Sequence, residues 1–267
     1  MFYGVRRVSA AGSSRRVCGA PAPQSVLILL VLLVGTVAAA QPLRLTALAP
    51  IAIEVGDDAG PQALALADVS GDGVADLLVI DRNADLLRVL LGAGDGQFAA
   101  PVVYELDGTP SAVTAADLAS PFASDTIGDV DGKVDVVVAH EDGFVELFLG
   151  RGDGTFDPPE QDFTDTLDAL ELIGVAVHDV DRNGRLDLVL LDGFDEVYFQ
   201  CNEGGSFAPC LTDFVYTDGV GAAAMALGDF DGDTDVDVAV ASRDSAHLRI
   251  VPGAGDGSFD ETAVAAI

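Results

Sequence analysis

Between His178 and Leu188 the chain reads HDVDRNGRLDL, and its oxygen-bearing residues recur at a spacing suited to a hard cation. Asp179, Asp181 and Asn183 alternate with other residues, which directs three side-chain oxygens to one side. Gly184 permits a sharp turn, and Asp187 closes the loop three residues later. With a backbone carbonyl and water, these oxygens approach the roughly six to eight ligands that calcium takes, whereas magnesium prefers to keep its waters in a strict octahedron. The opening is EF-hand-like, but an EF-hand ends in a glutamate at its twelfth position and lies between helices. Here an aspartate at the ninth position leads directly into an apolar run. The alternative reading is an Asx-rich surface turn with no metal.

Three further stretches repeat the pattern with different ligands. The first has Asp68, Ser70, Asp72, Gly73 and Asp76; a hydroxyl replaces one carboxylate, so this loop should bind calcium more weakly if ligand charge dominates. The second has Asp129, Asp131, Gly132 and Asp135, with its first ligand displaced by an insertion at about 120–127, leaving Asp117 or Asp125 as candidates. The fourth has Asp229, Asp231, Asp233 and Asp237, with Thr234 where glycine is expected, a substitution that strains the turn.

The closing aspartates lie 59, 52 and 50 residues apart, and a second element follows each in register: GAGDGQF ending at Phe98, GRGDGTF at Phe156, NEGGSF at Phe207 and GAGDGSF at Phe259. Two motifs that keep their offset through four copies mark a true internal repeat. This also disposes of Arg151-Gly152-Asp153 as an adhesion signal. Arg151 stands where other copies carry Ala93 and Ala254, so the tripeptide is a Gly-Asp-Gly turn with one basic variant residue.

The elements that must position these loops are strands. Runs such as ALALADV, DLLVI and LLRVLLG are short, branched-aliphatic and bounded by Gly, Asp and Asn, and a more polar fourth run such as APVVYEL follows. Four strands per period of about 50 residues describe a propeller blade, buried on both faces by its neighbours. The expected fold is all-β: a β-propeller of about four blades, each of four antiparallel strands, with repeats at approximately 47–98, 99–156, 157–207 and 208–259. Four blades is the lower limit for a propeller, so a small closed ring, an open array and a partial propeller are the alternatives.

Residues 1–40 read as a signal peptide: Arg6, Arg7, Arg15 and Arg16 form a basic leader, Val26 to Val34 is apolar, and Ala38-Ala39-Ala40 offers a cleavage site before Gln41. An uncleaved membrane anchor is the alternative. Residues 41–267 then form the repeat domain of a secreted or extracytoplasmic protein, in the periplasm or at the cell surface. No acidic residue precedes Gln41 and four of the thirteen basic residues do, so nine basic residues face 44 acidic ones in the mature chain. Such a surface repels nucleic acid and anionic lipid, and it favours bound cations. Export leaves Cys201 and Cys210, an even number in an oxidising compartment, flanking the degenerate third turn; a disulfide there would set the hairpin register that the missing Gly-Asp-Gly would have set.

The paired motifs, D-x-[DSN]-x-[DN]-G-x-x-D and then G-x-G-D-G-x-F, resemble the FG-GAP or VCBS-type repeats of integrin α-subunit propellers and many secreted bacterial proteins. The resemblance spans roughly residues 47–267. It implies propeller blades with calcium in the loop between the first two strands of each, and its typical blade number is seven rather than four.

No catalytic set stands out. His140, His178 and His247 fall at unrelated places in the repeat, zinc-ligand spacing is absent, and no serine or cysteine has a nucleophile's context. Carboxylates that hold calcium stay ionised and make poor acid/base pairs. The expected function is a non-catalytic, calcium-binding module for adhesion or protein interaction, whose extracellular protein or glycan ligand the sequence does not name. A carbohydrate-binding module, or an accessory domain of a secreted hydrolase or lyase, is the alternative. The absence of tryptophan weakens a sugar-stacking site.

Overall fold

A computed structural model describes residues 60–118, 130–161, 171–204, 207–217, 221–245, 247–260 and 265–266. The signal-peptide reading, the boundary at Gln41, the insertion at about 120–127 with Asp125, and Asp129 lie outside these residues. The described residues are β throughout, with no helix.

The sequence folds into four sheets of four strands, each a simple antiparallel meander. The first holds β1 (Pro61–Ala67), β2 (Asp76–Asp81), β3 (Leu86–Leu90) and β4 (Val102–Glu105). The second holds β5 (Pro110–Ala116), β6 (Asp135–His140), β7 (Val145–Phe148) and the short β8 (Glu160–Gln161). The third runs through β9 (Leu172–His178), β10 (Asp187–Asp192), β11 (Glu196–Asn202) and β12 (Phe207–Tyr216). The fourth comprises β13 (Ala222–Gly228), β14 (Asp237–Ser242), β15 (His247–Val251) and β16 (Ala265–Ala266).

Strand alternation explains how the sheets stack. Successive residues point to opposite faces, so β6 sends Val136 and Val138 into the core shared with the first sheet, and Val137 and Ala139 into the core shared with the third. In β10, Leu188 and Leu190 face the second sheet while Val189 and Leu191 face the fourth. Both strands are buried along their whole length, which is why they read as unbroken apolar runs. Three cores therefore separate four sheets, and the first strands pack in order: β1 on β5, β5 on β9, β9 on β13. β13 has no comparable contact with β1, so the array is an open arc of blades, a partial propeller.

Cys201 in β11 and Cys210 in β12 form a disulfide with Cα atoms 5.0 Å apart. It staples the hairpin where Cys201 pairs with Ala208 and Asn202 with Phe207, just past a register shift between Tyr198 and Gln200. The other three sheets close the same point with a Gly–Phe bridge around the turn: Gly92 to Phe98, Gly150 to Phe156, Gly253 to Phe259. An intramolecular disulfide is typical of proteins outside the reducing cytosol. Removing this short crosslink by Cys210→Ser should lower stability by about 2–3 kcal/mol, read as a lower urea midpoint and reproduced in the unmodified protein by a reductant.

Candidate metal centre

The four acidic loops occupy one place in every sheet, the connection between its first and second strands. Each closing aspartate opens the second strand, is almost fully buried, and accepts at least two backbone bonds, Asp76 a third from Ser70 N. In the first sheet Val69 N donates to Asp76 Oδ2 (3.0 Å) and Gly92 N to Asp76 Oδ1 (2.8 Å). The second repeats this with Leu118 N (3.0 Å) and Gly150 N (2.7 Å) on Asp135. Val180 N (2.7 Å) and Asn202 N (2.8 Å) donate to Asp187, and Phe230 N (2.8 Å) and Gly253 N (3.0 Å) to Asp237. One carboxylate thus ties the start of each loop to the end of the third strand.

The leading carboxylate of each loop folds the turn about itself. Asp68 accepts from Asp72 N and Gly73 N (3.1 and 2.8 Å), and Asp179 from Asn183 N and Gly184 N (3.0 and 2.9 Å). Asp229 accepts from Gly232 N and Thr234 N (2.6 and 3.1 Å). In the second loop the equivalent bond runs from Gly132 N to Asp117 Oδ2 (3.0 Å). Asp117 is therefore a leading residue that the insertion had separated from its loop, and its buried Oδ1 has no partner among the described residues. Asp72, Asp131, Asn183 and Asp233 each accept from the N–H two residues on, the Asx-turn geometry.

Among the described residues the loops differ in how many ligands converge. Asp229, Asp231 and Asp237 each place a carboxylate oxygen within 4.8 Å of the others. Asp181 and Asp187 meet on the same scale beside the Cys201 sulfur, which the disulfide removes as a thiolate ligand. Ser70 Oγ leans on Asp68 Oδ1 at 3.4 Å. In the second loop the Lys133 ammonium already sits 2.6 Å from Asp131, where it competes with a metal. All donors are hard oxygens and, among the described residues, the buried Asp117 Oδ1 is orphaned, so the residues present could hold a hard metal ion.

Electrostatics points the same way. Burial pushes Asp135 up to about 6; the Gly150 and Leu118 N–H groups oppose this, and the Asp131 and Asp117 charges add to it. Asp187 rises to about 6 for the same reason, with Asp181 and Asp179 adding to burial. Asp117 is also raised by burial. Clustered carboxylates here resist ionising, and a divalent cation would relieve them.

Thr234 adopts φ +79°, where the equivalent glycines take +86° (Gly73), +78° (Gly132) and +86° (Gly184). A Cβ at those three positions would meet nothing within 4 Å, so the cost at Thr234 is conformational rather than a clash.

Adjacent blades also touch through this region, which the sequence did not disclose. The Gly-Asp-Gly turn of one sheet docks on the acidic loop of the sheet before it: Gly154 N donates to Val69 O (3.0 Å) and Gly257 N to Val180 O (3.1 Å). Phe156 N and Phe259 N donate to Tyr104 Oη (3.1 Å) and Thr212 Oγ1 (2.9 Å) on the preceding fourth strand. Arg182 in the third loop pairs with Asp235 and donates to Thr234 Oγ1 (3.3 Å) in the fourth. Arg151 and Asp153 are held within their own turn, by Asp157 and by Thr155 N (3.0 Å) respectively. His140 is buried with Nε2 3.1 Å from Glu146 Oε2 and stacks on Phe144, away from the acidic loops.

The FG-GAP-like repeat family matches residues 129–190 and again 179–240, which span the second, third and fourth acidic loops. Residues 129–240 thus carry FG-GAP-like repeats. No curated protein matches the sequence. Among solved structures, BBS1N in complex with ARL6DN is similar at 17% identity and TM-score 0.51, over 79% of this chain and 59% of that one. An Agrocybe aegerita lectin that recognises non-reducing terminal N-acetylglucosamine matches at 23% identity and TM-score 0.49, over 75% and 50%. The periplasmic gluconolactonase of Pseudomonas aeruginosa matches at 17% and 0.47, over 76% and 52%. These neighbours are β-propellers, and this chain spans half to three fifths of their length.

Two outcomes follow from the loops. Thr234→Gly should raise stability by about 1 kcal/mol, measured as a denaturant midpoint, because the gain in allowed φ exceeds the loss of one exposed hydrogen bond. Without divalent cations, stability should fall as pH rises from about 4 to above 6. Asp135 and Asp187 keep their protons to about 6 in the folded chain and release them near 3.8 when unfolded, so the folded state is the more protonated across that window. Urea midpoints in EGTA across that range check the slope.

Proposed function

We propose that the protein is a calcium-stabilised, non-catalytic FG-GAP propeller module that acts outside the cytoplasm by binding another protein. The observation that carries this reading is the repeated loop: a buried closing aspartate, a leading carboxylate and alternating oxygens, at one place in every sheet. Asp179, Asp181, Asn183 and Asp187 would hold the ion in the third blade, and Asp229, Asp231, Asp233 and Asp237 in the fourth. Asp68, Ser70, Asp72 and Asp76 form a weaker set. Asp117, Asp131 and Asp135 serve in the second blade, where Lys133 competes. The cation supplies charge neutralisation, and the protein's own residues fix the loop on which the next blade rests. The leader, the disulfide and the acidic balance support export.

Calcium bound to the folded state alone stabilises it by mass action, about 2.7 kcal/mol when free calcium is 100 times its Kd. Thermal unfolding at matched ionic strength should show a saturable rise from EGTA to millimolar calcium that magnesium does not reproduce. Asp231→Ala should remove much of the rise while leaving the EGTA melting temperature nearly intact, since Asp231 is exposed and its backbone bond, from Asp233 N, stays within the loop. Asp237→Ala should lower both, because that side chain also ties the loop to the third strand. Unfolding that ignores calcium would make the loops plain Asx turns and end this reading.

A further inference from the structure

The four repeats serve as internal controls for one another, and they single out two surfaces that behave as broken interfaces. The residue after each leading aspartate is buried in three sheets, as Val69, Leu118 and Val180, but Phe230 in the fourth is 48% exposed. In the third strands, Leu87, Val145 and Val197 are fully buried, while the equivalent Leu248 is 38% exposed. Both residues lie on the face of the fourth sheet that would meet a following blade. At the other end, Val113, Val175 and Met225 pack against the preceding sheet, while their counterpart Leu64 is 66% exposed and Leu66 beside it 63%.

The polar parts of the interface are split in the same way. At two interior junctions a turn glycine, Gly154 or Gly257, is buried against the preceding blade. Gly154 lies over Leu91, and Gly257 over Asp181 and Cys201. The corresponding receiving residues of the fourth sheet, Pro252 and Asp231, instead line an open groove of about 690 Å³. In the first sheet the matching turn glycine, Gly96, is exposed. One end of the arc therefore carries the knob, and the other carries the socket.

We propose that the protein associates head to tail with a second copy of itself, the first sheet of one copy packing on the fourth sheet of the other. The turn at Gly94–Phe98 enters the groove, with Gly96 N donating to the Phe230 carbonyl as Gly154 and Gly257 do to Val69 and Val180. Leu64 and Leu66 then cover Leu248 and Phe230. The occupant is a copy of this chain because the two free surfaces are the two halves of an interface that this chain already makes three times within itself. Two such contacts close a ring of eight sheets, within the range of known propellers, and a heterologous contact that does not close gives an open array. The inference rests on the fold and does not require the calcium reading.

Sedimentation of the purified protein over a wide concentration range, in calcium and in EGTA, tests it. A doubling of mass with rising concentration is expected. Phe230→Asp alone, or Leu64→Glu with Leu66→Glu, should each move the monomer–dimer midpoint to at least about tenfold higher concentration. Circular dichroism should match the unmodified protein, as should unfolding midpoints taken at concentrations where both are monomeric, since these side chains are exposed and association itself stabilises the folded state. An equimolar mixture of the two variants should regain a dimer, because it restores one intact knob and socket. Mass that keeps rising, and that either variant abolishes, supports the same interface in an open array. A monomer at every concentration, or a dimer indifferent to both variants, would overturn the proposal.

Discussion

Everything in this structure hangs on a buried carboxylate that accepts two backbone N–H groups. In each sheet the aspartate at the start of the second strand reaches one way to the first turn of the acidic loop and the other way to the end of the third strand. Hydrogen bonds to an ionised acceptor are roughly twice as strong as neutral ones. They also fix the spacing of three strands and set the loop carbonyl at the height where the next blade's turn can meet it. The apolar runs make the sheets, but these aspartates register the sheets to one another.

The same residues create the molecule's main electrostatic problem. The sequence carries a formal charge of −31, and the loops gather several of those charges around a carboxylate shielded from water. Burial raises Asp135 and Asp187 against the pull of their N–H donors, so neither hydrogen bonding nor solvent fully compensates the charge. The loops solve this unequally. The second borrows an ammonium from Lys133, the third extends Arg182 to its neighbour, and the fourth brings three carboxylates together without a basic residue of its own.

Much of this was legible in the residues. The period, the strand order, the position of the loops between first and second strands, the strained Thr234 and the Cys201–Cys210 staple all follow from local pattern, because each depends on residues close in sequence. What was not legible depends on distance. An insertion hid Asp117 from its loop, and the bond from Gly132 N reveals it. The docking of Gly154 on Val69 joins residues from different repeats and leaves no spacing to read. Leu64 and Val113 hold the same place in their strands, and their burial differs because Val113 packs on the sheet before it whereas, among the described residues, no sheet packs on Leu64.

The docking of each turn on the preceding loop separates the unit of folding from the unit of sequence. A repeat counted from strand to strand contains its own loop but not the turn that completes it, which arrives about 85 residues later, as Gly154 does for Val69. A chain built this way grows and folds like a one-dimensional lattice with strong nearest-neighbour coupling. Duplicating a whole repeat adds one finished junction and keeps the ends unchanged. A cut made inside a junction instead strands an acidic loop with nothing to rest against it, so gene duplication has an easier path through this architecture than truncation.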